Sequence, residues 1–433
     1  MERKVALNIK FIDGFRVLVR KLKPADTKQL LNIFGFPDLR PHQSAAASVM
    51  LAGRDLVLLI QTSGGKTEAV LGAFLLMDGP GIHLQIEPLK ALQSDMRERL
   101  ARLGLRVVVL NSDLKGSARA QALRRIQAGK ADCVLTTPEQ LEKTEVFACL
   151  DEAGVKTLAV DEAHCVLEYG GDFRPAYNNI GAFVKRLKNR PVVAACTATL
   201  EPDGLKRVVK SLGLEDPVVI RSSIDRPEIG LNFIEIGTEL GCNEKDLIEK
   251  ERYRRLKKYL KKYGQEGGAI IYCSYINQAK TVAGALARDG FRAKPFYAEM
   301  SEREKEDIRQ RFKTGELPIV VATSAFGMGV DKPDVRLIVH MSLPFSIEDY
   351  WQKTGRAGRD GQKSYAVLLW HRSEAQRNAA VLNRDPQKVR KLRALVKLLH
   401  TPRCRMQQIR EYFGEDPGKP CGKCDYCRLM KGR

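Results

Sequence analysis

A strand that runs directly into a glycine-containing loop decides the fold class of this chain: Asp55-Leu56-Val57-Leu58-Leu59-Ile60 is followed by Gln61-Thr62-Ser63-Gly64-Gly65-Lys66-Thr67. A helical pattern comes next, and this arrangement is typical of a phosphate-binding P-loop. Backbone N–H groups of Thr62, Ser63, Gly64 and Gly65 would hold phosphates beside the helix N-terminus. Lys66 would reach the β and γ phosphates, and the hydroxyl of Thr67 would contact Mg²⁺. Ile60 stands where the strict pattern has its first glycine, so a strand-to-helix turn that contains Lys-Thr by coincidence is the alternative.

An acidic pair at the end of another predicted strand supports a nucleotide site. Asp161-Glu162-Ala163-His164 follows the strand Thr157–Val160, and the carboxyl end of a buried strand faces the nucleotide in such sheets. Asp161 would hold Mg²⁺ through its water shell, Glu162 would orient and deprotonate the attacking water, and His164 would link the site to a second domain. An Asp-Glu pair alone occurs by chance in most proteins. Loop and pair together, in this order, predict an NTPase that uses Mg²⁺; the choice of ATP is implied by the resemblance described below.

Short apolar strands alternate with helical patterns in two series, which predicts an α/β fold of two doubly wound parallel-sheet domains. After residue 370 the strand pattern stops, and a helix is predicted from Pro386 to about His400. The predicted strands are Asp55–Ile60, Gly81–Ile86, Arg106–Leu110, Ala131–Thr136, Thr157–Val160, Val192–Cys196, Ala269–Cys273, Ala293–Phe296, Ile319–Ala322, Leu337–His340 and Tyr365–Leu369.

Four of the ten cysteines cluster near the C-terminus, and the other six are scattered, mostly in apolar runs. The spacing of the four allows them to close around a tetrahedral Zn²⁺, so they are predicted ligands of a structural zinc ion. Disulfides, loose thiols or an iron–sulfur cluster are the alternatives, and the scattered six are expected to be buried thiols of a reducing compartment. The four are Cys404, Cys421, Cys424 and Cys427.

Charge indicates a polyanionic partner. Lys and Arg number 73 against 52 acidic residues, for a net charge of +21 and a pI near 9.6. Nucleic acid is the commonest such partner, although a merely basic protein is the alternative. The basic run Lys250–Lys262 is interpreted as the solvated face of a helix. The longest apolar stretches are far short of a membrane span and the N-terminus lacks the apolar block of a signal peptide, so a cytoplasmic location is expected, nucleoid-associated if the source is a prokaryote.

From about Phe34 to Cys427 the chain resembles the RecQ family of superfamily 2 helicases. The resemblance implies two RecA-like domains followed by a small helical zinc-binding subdomain. Residues 34–43 resemble the adenine-recognition motif, so Phe36 and Arg40 would sandwich the adenine and Gln43 would hydrogen-bond its edge. Residues 165–175 resemble the aromatic-rich loop that senses single-stranded DNA. The DNA contacts implied there are Tyr169, which stands where the family has Trp, Phe173 and Arg174.

Three further stretches carry the resemblance. Thr197-Ala198-Thr199 matches the motif that links hydrolysis to unwinding, and residues 323–333 match the motif between the DNA backbone and the nucleotide. Residues 352–361 match the arginine-finger motif, which places Gln352 at the nucleotide. Arg356 and Arg359 would then stabilise charge on the γ-phosphoryl from the opposite domain, so that hydrolysis depends on closure of a cleft.

The predicted organisation is a hairpin extension over 1–24, with its turn at Asp13-Gly14, a first RecA-like domain over 25–222, a second over 223–370 and the zinc-binding subdomain over 371–433. The predicted function is that of an ATP-dependent DNA helicase or translocase, which moves on single-stranded and partly duplex DNA with the 3′-5′ polarity implied by the resemblance. Because the chain ends six residues after Cys427, translocation is expected in preference to processive unwinding, and a protein partner would supply accessory domains. An RNA helicase or remodeller and a binding scaffold without ATP turnover are the alternatives.

Overall fold

The structure is a computed structural model that describes residues 8–10, 22–61, 64–88, 90–167, 175–237, 245–264, 266–327, 332–382 and 385–431. The chain divides into two compact units, residues 1–224 and 225–433. Among the helices of the described ranges, none is long and apolar enough to cross a lipid bilayer.

Within the described residues, the first unit contains an eight-stranded sheet with the order β1-β8-β2-β7-β6-β3-β5-β4. Only the short strand β1 pairs antiparallel there, and the other neighbours are parallel. The strands are β1 (Asn8–Lys10), β2 (Leu56–Leu59), β3 (Ile82–Ile86), β4 (Val107–Leu110), β5 (Cys133–Thr136), β6 (Val155–Val160), β7 (Val192–Thr197) and β8 (Val218–Arg221).

Both faces of this sheet are covered, because alternate residues of one strand enter different cores. Val57 and Leu59 of β2 belong to one apolar cluster, whereas Leu56 and Leu58 belong to another. Such burial on both faces is what connecting helices on either side of a parallel sheet produce. The helices are α1 (Pro24–Phe34), α2 (Pro41–Leu51), α3 (Lys66–Leu76), α4 (Lys90–Arg102), α5 (Gly116–Gln127), α6 (Thr144–Ala153), α7 (Ile180–Arg186) and α8 (Pro202–Leu212).

The second unit contains a parallel sheet with the order β11-β12-β10-β13-β14-β9. Its strands are β9 (Ile229–Glu235), β10 (Gly268–Tyr272), β11 (Ala293–Phe296), β12 (Ile319–Ala322), β13 (Val335–His340) and β14 (Ser364–Trp370). Its helices are α9 (Lys245–Tyr263), α10 (Ile276–Arg288), α11 (Glu302–Thr314), α12 (Ile347–Thr354), α13 (Ser373–Val381), α14 (Pro386–His400), α15 (Arg405–Tyr412) and α16 (Asp425–Lys431).

A buried ion pair joins two helices of this second unit. Arg252 of α9 lies 2.8 Å from Glu374 of α13, and the two side chains are 3% and 2% exposed. Glu374 also accepts backbone hydrogen bonds from Leu343 and His371. The carboxylate therefore anchors the ends of β13 and β14 to α9 and α13.

Two differences from the sequence prediction concern the junction and the N-terminus. The strands Val218–Arg221 and Ile229–Glu235 were not predicted, and they flank the boundary between the units. Of the predicted hairpin, only residues 8–10 are described, and they pair with Val219–Arg221. Its turn and second arm lie outside the described residues.

Candidate nucleotide site and cysteine cluster

The order of the strands brings the predicted site residues of the first unit to one edge of its sheet. Strands β2, β7, β6 and β3 are consecutive neighbours and parallel, so their carboxyl ends lie side by side. The loop that ends in Lys66 follows β2, and Thr197 ends β7. Asp161 follows β6 and Glu87 follows β3. Ligands bind at this edge in open α/β sheets.

The glycines of the loop are required by close contacts. Gly65 caps α3 with φ 78°, the left-handed region that other residues enter at a cost. A Cβ atom there would collide with the side-chain amide of Gln43, and one on Gly64 would collide with the Ile60 side chain. Ile60 is buried (2% exposed), so the residue that replaces the usual first glycine packs over the loop.

The start of α2 holds this loop in place. The ring Nε2 of His42 lies 2.7 Å from the carbonyl oxygen of Gly64, and Gln43 Nε2 donates to the carbonyl of Gly65 at 3.3 Å. Gln43 Oε1 accepts from the backbone N–H of Arg40 at 2.9 Å. Burial lowers the pKa of His42, so a neutral ring donates to the loop. His42 had no assigned role in the sequence prediction.

The predicted adenine clamp is only partly assembled. The Phe36 ring is half-buried and lies 5.6 Å from that of Phe34, whereas Arg40 is exposed. Gln43, predicted at the adenine edge, hydrogen-bonds to the backbone of Arg40 and Gly65. Residues 62–63 of the loop lie outside the described part of the chain. The clamp stays a prediction.

Lys66 and Asp161 form the charged centre of the edge. Lys66 and Thr67 occupy the first turn of α3, and Lys66 Nζ lies 3.7 Å from Asp161 Oδ1. Burial by itself would lower the pKa of Lys66, but the carboxylates of Asp161 and Glu162 outweigh it and raise that pKa. Burial raises the pKa of Asp161, with Lys66 opposing and Glu162 adding to the shift. The site therefore keeps its lysine charged and holds negative charge close to it.

Glu162 sits on strained backbone next to this centre. It has φ 46° and ψ 45°, and it caps the 3₁₀ helix Ala163–Val166. A residue other than glycine in this region costs about 1–2 kcal/mol, and such strain is concentrated at functional sites. His164 Nδ1 lies 3.2 Å from Glu162 Oε2 and 2.9 Å from Thr197 Oγ1. His164 thereby connects the carboxylate to the Thr197–Thr199 motif.

A third carboxyl group, Glu87, lies at the same edge and was missed by the sequence prediction. It is 1% exposed and accepts a hydrogen bond from Gln85 at 2.9 Å. Burial, and next the charge of Asp161, raise its pKa well above the ordinary value. Glu87 directly follows a predicted strand in the same way as Asp161, so its position was the one available signal.

In the second unit, the arginine-finger candidates lie after α12. Gln352 is half-buried within that helix, Arg356 is 9% exposed and Arg359 is half-buried. The guanidinium of Arg356 lies close to Gly327, because a Cβ atom built on Gly327 would be 3.4 Å from it. Nε of Arg356 is buried and donates no hydrogen bond within the described residues. The arginine roles stay predictions.

The four C-terminal cysteines converge as predicted. Their sulfur atoms all lie within 4.8 Å of one another, whereas Zn–S bonds of about 2.3 Å place the sulfurs of a tetrahedral site roughly 3.8 Å apart. Backbone N–H groups of Cys421, Cys424 and Cys427 donate to the preceding ligand's sulfur at 3.2–3.4 Å. Hydrogen bonds from Cys421 and Cys424 lower the pKa of Cys404. Four converging sulfurs with a stabilised thiolate fit zinc, and the donor set leaves no position for a catalytic water.

The remaining predicted residues are the scattered cysteines and those of the aromatic-rich loop. Five of the scattered cysteines are buried thiols that form no disulfide, as expected, namely Cys133, Cys149, Cys165, Cys196 and Cys273. Cys242 lies outside the described residues. So do Tyr169, Phe173 and Arg174 of the aromatic-rich loop and residues 328–331 of the second-unit motif.

Comparisons with known families divide the chain into three matched segments. Residues 40–208 match the DEAD/DEAH box helicase family. Residues 251–361 match the helicase conserved C-terminal domain, and residues 371–428 match the RecQ zinc-binding family. The last match covers all four cysteines of the cluster, which places them in a zinc-binding module.

Similar proteins include RecQ-type helicases. The ATP-dependent DNA helicase RecQ of Pasteurella multocida is 30% identical over 94% of this chain, which spans 62% of that protein. RecQ of Bacillus subtilis is 30% identical over 92% of this chain, which spans 66% of that protein. A protein of Acanthamoeba polyphaga mimivirus, named as an ATP-dependent RNA helicase, is 32% identical over 95% of this chain and 73% of its own length.

Solved structures confirm the predicted fold class. Dbp5 of S. cerevisiae, bound to RNA, has a TM-score of 0.64 at 17% identity over 85% of this chain and 92% of that chain. The helicase MrfA, bound to DNA, has a TM-score of 0.67 at 17% identity over 94% of this chain and 62% of that chain. Two RecA-like sheets followed by a helical zinc-binding module, together with the family matches, lead to one conclusion: the chain belongs to the RecQ family of helicases.

Proposed function

We propose that this chain is an ATP-dependent DNA helicase or translocase that couples ATP hydrolysis to movement along single-stranded DNA. The observation that carries the proposal is the contact of Lys66 with Asp161, beside Glu162, at the carboxyl edge of the first sheet. The chain spans less than two thirds of the RecQ relatives from Pasteurella multocida and Bacillus subtilis. The proposal is therefore limited to what residues of this chain can do.

The phosphates of ATP are proposed to bind where the loop meets α3. Backbone N–H groups of Gly64, Gly65 and Lys66 and the helix N-terminus favour negative charge there. Lys66, charged and 11% exposed, would contact the β and γ phosphates. A bound nucleotide would therefore compete with Asp161 for the ammonium group of Lys66.

Asp161 and Thr67 are proposed to hold Mg²⁺. Asp161 Oδ1 is buried and accepts no hydrogen bond within the described residues, which is the state of an oxygen that can take a hydrated cation. The carboxyl groups of Asp161 and Glu162 outnumber the single Lys66 at this edge, so an added divalent cation would be electrostatically favourable. When bound, Mg²⁺ would neutralise charge on the β and γ phosphates.

Glu162 is proposed to act as the general base. Its side chain is 13% exposed and its Oε2 lies 3.2 Å from His164 Nδ1, so the carboxylate is next to that ring and remains partly accessible to water. It would accept the proton of the attacking water as the bond to the γ-phosphorus forms. His164, through Thr197, would report the state of this carboxylate to the 197–199 motif. Arg356 and Arg359 are proposed to stabilise the γ-phosphoryl charge, as the resemblance implies.

DNA is favoured over RNA as the polymer by the zinc-binding module, which the RecQ-type match covers. An RNA helicase is the second candidate, because the mimivirus relative is named as one. The 3′-5′ polarity and the participation of Tyr169, Phe173 and Arg174 are proposals from the resemblance alone. So is a requirement for a protein partner.

The test is ATP hydrolysis by the purified chain without polymer, with single-stranded DNA and with single-stranded RNA. Lys66→Ala and Glu162→Gln should abolish hydrolysis, whereas Lys210→Ala and Glu98→Gln, at exposed positions of the same unit, should retain it. Stimulation by DNA is expected. Stimulation by RNA alone would select the second candidate, and no hydrolysis would select the scaffold.

Movement and polarity need a separate measurement. A duplex with a 3′ single-stranded tail is compared with one that carries a 5′ tail, each with ATP and with Glu162→Gln as the control. Strand separation of the 3′-tailed duplex alone is expected. Equal separation of both would contradict the proposed polarity, and displacement of a bound protein block without strand separation would identify a translocase.

A further inference from the structure

A cavity in the second unit has no part in the proposed chemistry. It measures about 700 Å³ and is bounded by the starts of β9 and β14, the last turns of α9 and the cysteine cluster. Cavities of this size hold groups as large as a nucleotide. From the sequence alone, the basic run Lys250–Lys262 on α9 was interpreted only as the solvated face of a helix.

Positive charge dominates the lining of this cavity. It is lined by Lys258 and Lys262 of α9, Lys363 before β14, and Lys423 and Arg428 of the cysteine cluster. None of these five side chains forms an ion pair with a carboxylate in the described part of the chain. Glu228 is the one acidic residue of the lining, and its carboxylate contacts the guanidinium of Arg226. The charge of the cavity is therefore uncompensated.

Other basic residues of the same helix behave differently. Arg254 and Arg255 both pair with Glu251 at 2.6 Å, and Lys257 pairs with Asp289 at 2.7 Å. Lys258 and Lys262, one turn apart, face the cavity and are exposed. Lys258 and Lys262 thus carry charge that no carboxylate in the described part of the helix neutralises, and what distinguishes them from other exposed lysines of α9 is their place in the lining of the cavity.

A stack of tyrosines forms a firm wall beneath the lysines. Tyr263 lies 3.7 Å from Tyr365 and 6.0 Å from Tyr259, ring centre to ring centre, with both pairs stacked at 28°. Tyr263 thus has a stacked partner in each of Tyr259 and Tyr365, and all three tyrosines line the cavity. Lys262 Nζ lies 5.1 Å from the centre of the Tyr263 ring, which favours an orderly position for that ammonium group.

The opposite wall is fixed by the cysteine cluster. Lys423, between two of the cysteines, donates to the carbonyl oxygens of Arg226 and Pro227. Arg428 donates to the side-chain oxygen of Asn232 on β9 and to the carbonyl of Lys423 at 2.7 Å. These two cations are held in place, whereas Lys258, Lys262 and Lys363 remain available to a ligand.

We propose that this cavity binds the phosphate groups of a nucleic-acid strand, as a contact separate from the nucleotide site. Lysine point charges and tyrosine hydroxyls are typical phosphate contacts, and both kinds of residue line the cavity. The cavity binds the phosphate backbone of the nucleic-acid strand whatever its base sequence. That the strand is DNA rests on the proposed function, but the phosphate chemistry of the cavity does not.

The experiment measures binding of a fluorescent single-stranded oligonucleotide, without ATP, as a function of salt. The variant carries Lys258→Gln, Lys262→Gln and Lys363→Gln, and its control carries Lys250→Gln, Lys313→Gln and Lys397→Gln, which change the net charge equally at exposed positions. Loss of three phosphate contacts should reduce the slope of log Kd against log salt by about 2 and weaken binding roughly tenfold or more. Equal slopes and affinities for the two variants would overturn the proposal.

Two further measurements separate the alternatives. Tripolyphosphate binding that is lost in the cavity variant, with oligonucleotide binding intact, would identify a small phosphate ligand and overturn the strand assignment. In the wild-type chain, bound oligonucleotide should protect the three cavity lysines from acetylation but not the three control lysines, a result that needs no variant to fold. Binding through the cavity without DNA-stimulated hydrolysis would uphold this inference and reject the proposed function.

Discussion

Replacement of Glu162 tests the proposed chemistry through activity and stability at once. Glu162→Gln keeps the size of the side chain but removes the basic oxygen that would accept the proton of water. A positioned general base contributes about 10²- to 10⁴-fold to a rate, so kcat for ATP should fall by that factor with little change in KM. The fall is expected with and without DNA, because the missing group takes part in every turnover.

Stability should change little. The charge of Glu162 raises the pKa of Asp161 and also that of Lys66, so a neutral amide relieves repulsion of Asp161 and loses attraction to Lys66, and Tm should stay close to that of the wild type. Glu162→Gly adds a second effect because φ is 46°. Relief of about 1–2 kcal/mol of strain exceeds the greater backbone entropy of glycine, about 0.5–1 kcal/mol. The net gain is between zero and about 1.5 kcal/mol, and each 1 kcal/mol would raise Tm by about 2–4 °C for a unit of this size.

The assay combines steady-state ATP hydrolysis with thermal unfolding, and Glu98→Gln serves as the matched control. An unchanged kcat in Glu162→Gln would refute the general-base role. A fall in kcat accompanied by a fall in Tm would also refute the reasoning, because it would show that Glu162 supports the fold and not the reaction.

Four other predictions use different parts of the structure. Gly65→Ala should destroy ATP binding, measured by calorimetry, because φ is 78° and a Cβ would collide with Gln43. Glu374→Ala should lower the free energy of unfolding of the second unit by up to about 3–5 kcal/mol, measured in urea, because the buried Arg252 keeps only Glu249 as a partner among the described residues and the backbone N–H groups of Leu343 and His371 lose their acceptor; unchanged stability would contradict this. Chelation or Cys424→Ser should remove one zinc ion per chain by metal analysis and lower Tm, whereas wild-type protein with no bound zinc would contradict the site. Since the pKa of Glu87 is raised in the folded chain, its contribution to stability is present at acid pH and is lost as pH rises through that raised pKa. Glu87→Gln should therefore flatten the dependence of Tm on pH above the ordinary carboxyl pKa range. An unaltered dependence of Tm on pH would contradict the raised pKa of Glu87.

Elements with a complete local pattern were predictable from the sequence. The strands Ala293–Phe296 and Ile319–Ala322 and the helix Pro386–His400 have the predicted bounds. That helix has a local start signal, since Asp385 accepts hydrogen bonds from the backbone of its first turn. The strands Val218–Arg221 and Ile229–Glu235 were missed because their identity depends on distant neighbours in each sheet and not on local pattern.

The candidate site was predictable where motif and strand end coincide. Lys66 and Asp161 were identified from loop and strand context, and their 3.7 Å contact follows from the neighbouring places of β2, β7 and β6. His42 was not identifiable as a support of the loop, because 22 residues separate it from the Gly64 carbonyl that it contacts. Contacts of this kind arise from the packing of α2 against α3, which a local pattern does not specify.

Strand β3 shows why a polar pattern can mislead in a parallel sheet. Its sequence alternates apolar and polar residues, the pattern of a strand with one face in water, yet His83, Gln85 and Glu87 are 1%, 4% and 1% exposed. They are linked in a row, since His83 contacts Thr157 at 2.8 Å and Gln85 at 3.2 Å, and Gln85 donates to Glu87 at 2.9 Å. Burial lowers the pKa of His83 to about 4, so the ring is neutral and can accept from Thr157 while it donates to Gln85.

This buried row costs stability that apolar side chains would not cost, because each polar group must be desolvated and then hydrogen-bonded. The alternate residues Ile82, Leu84 and Ile86 show that the same strand accommodates apolar packing. The row ends at Glu87, beside the charge of Asp161. A hydrogen-bonded row that terminates at the nucleotide edge is best explained by the need to hold that carboxyl group in one position. In β3, the buried polar row therefore ends at the edge of the sheet where the chemistry is proposed to take place.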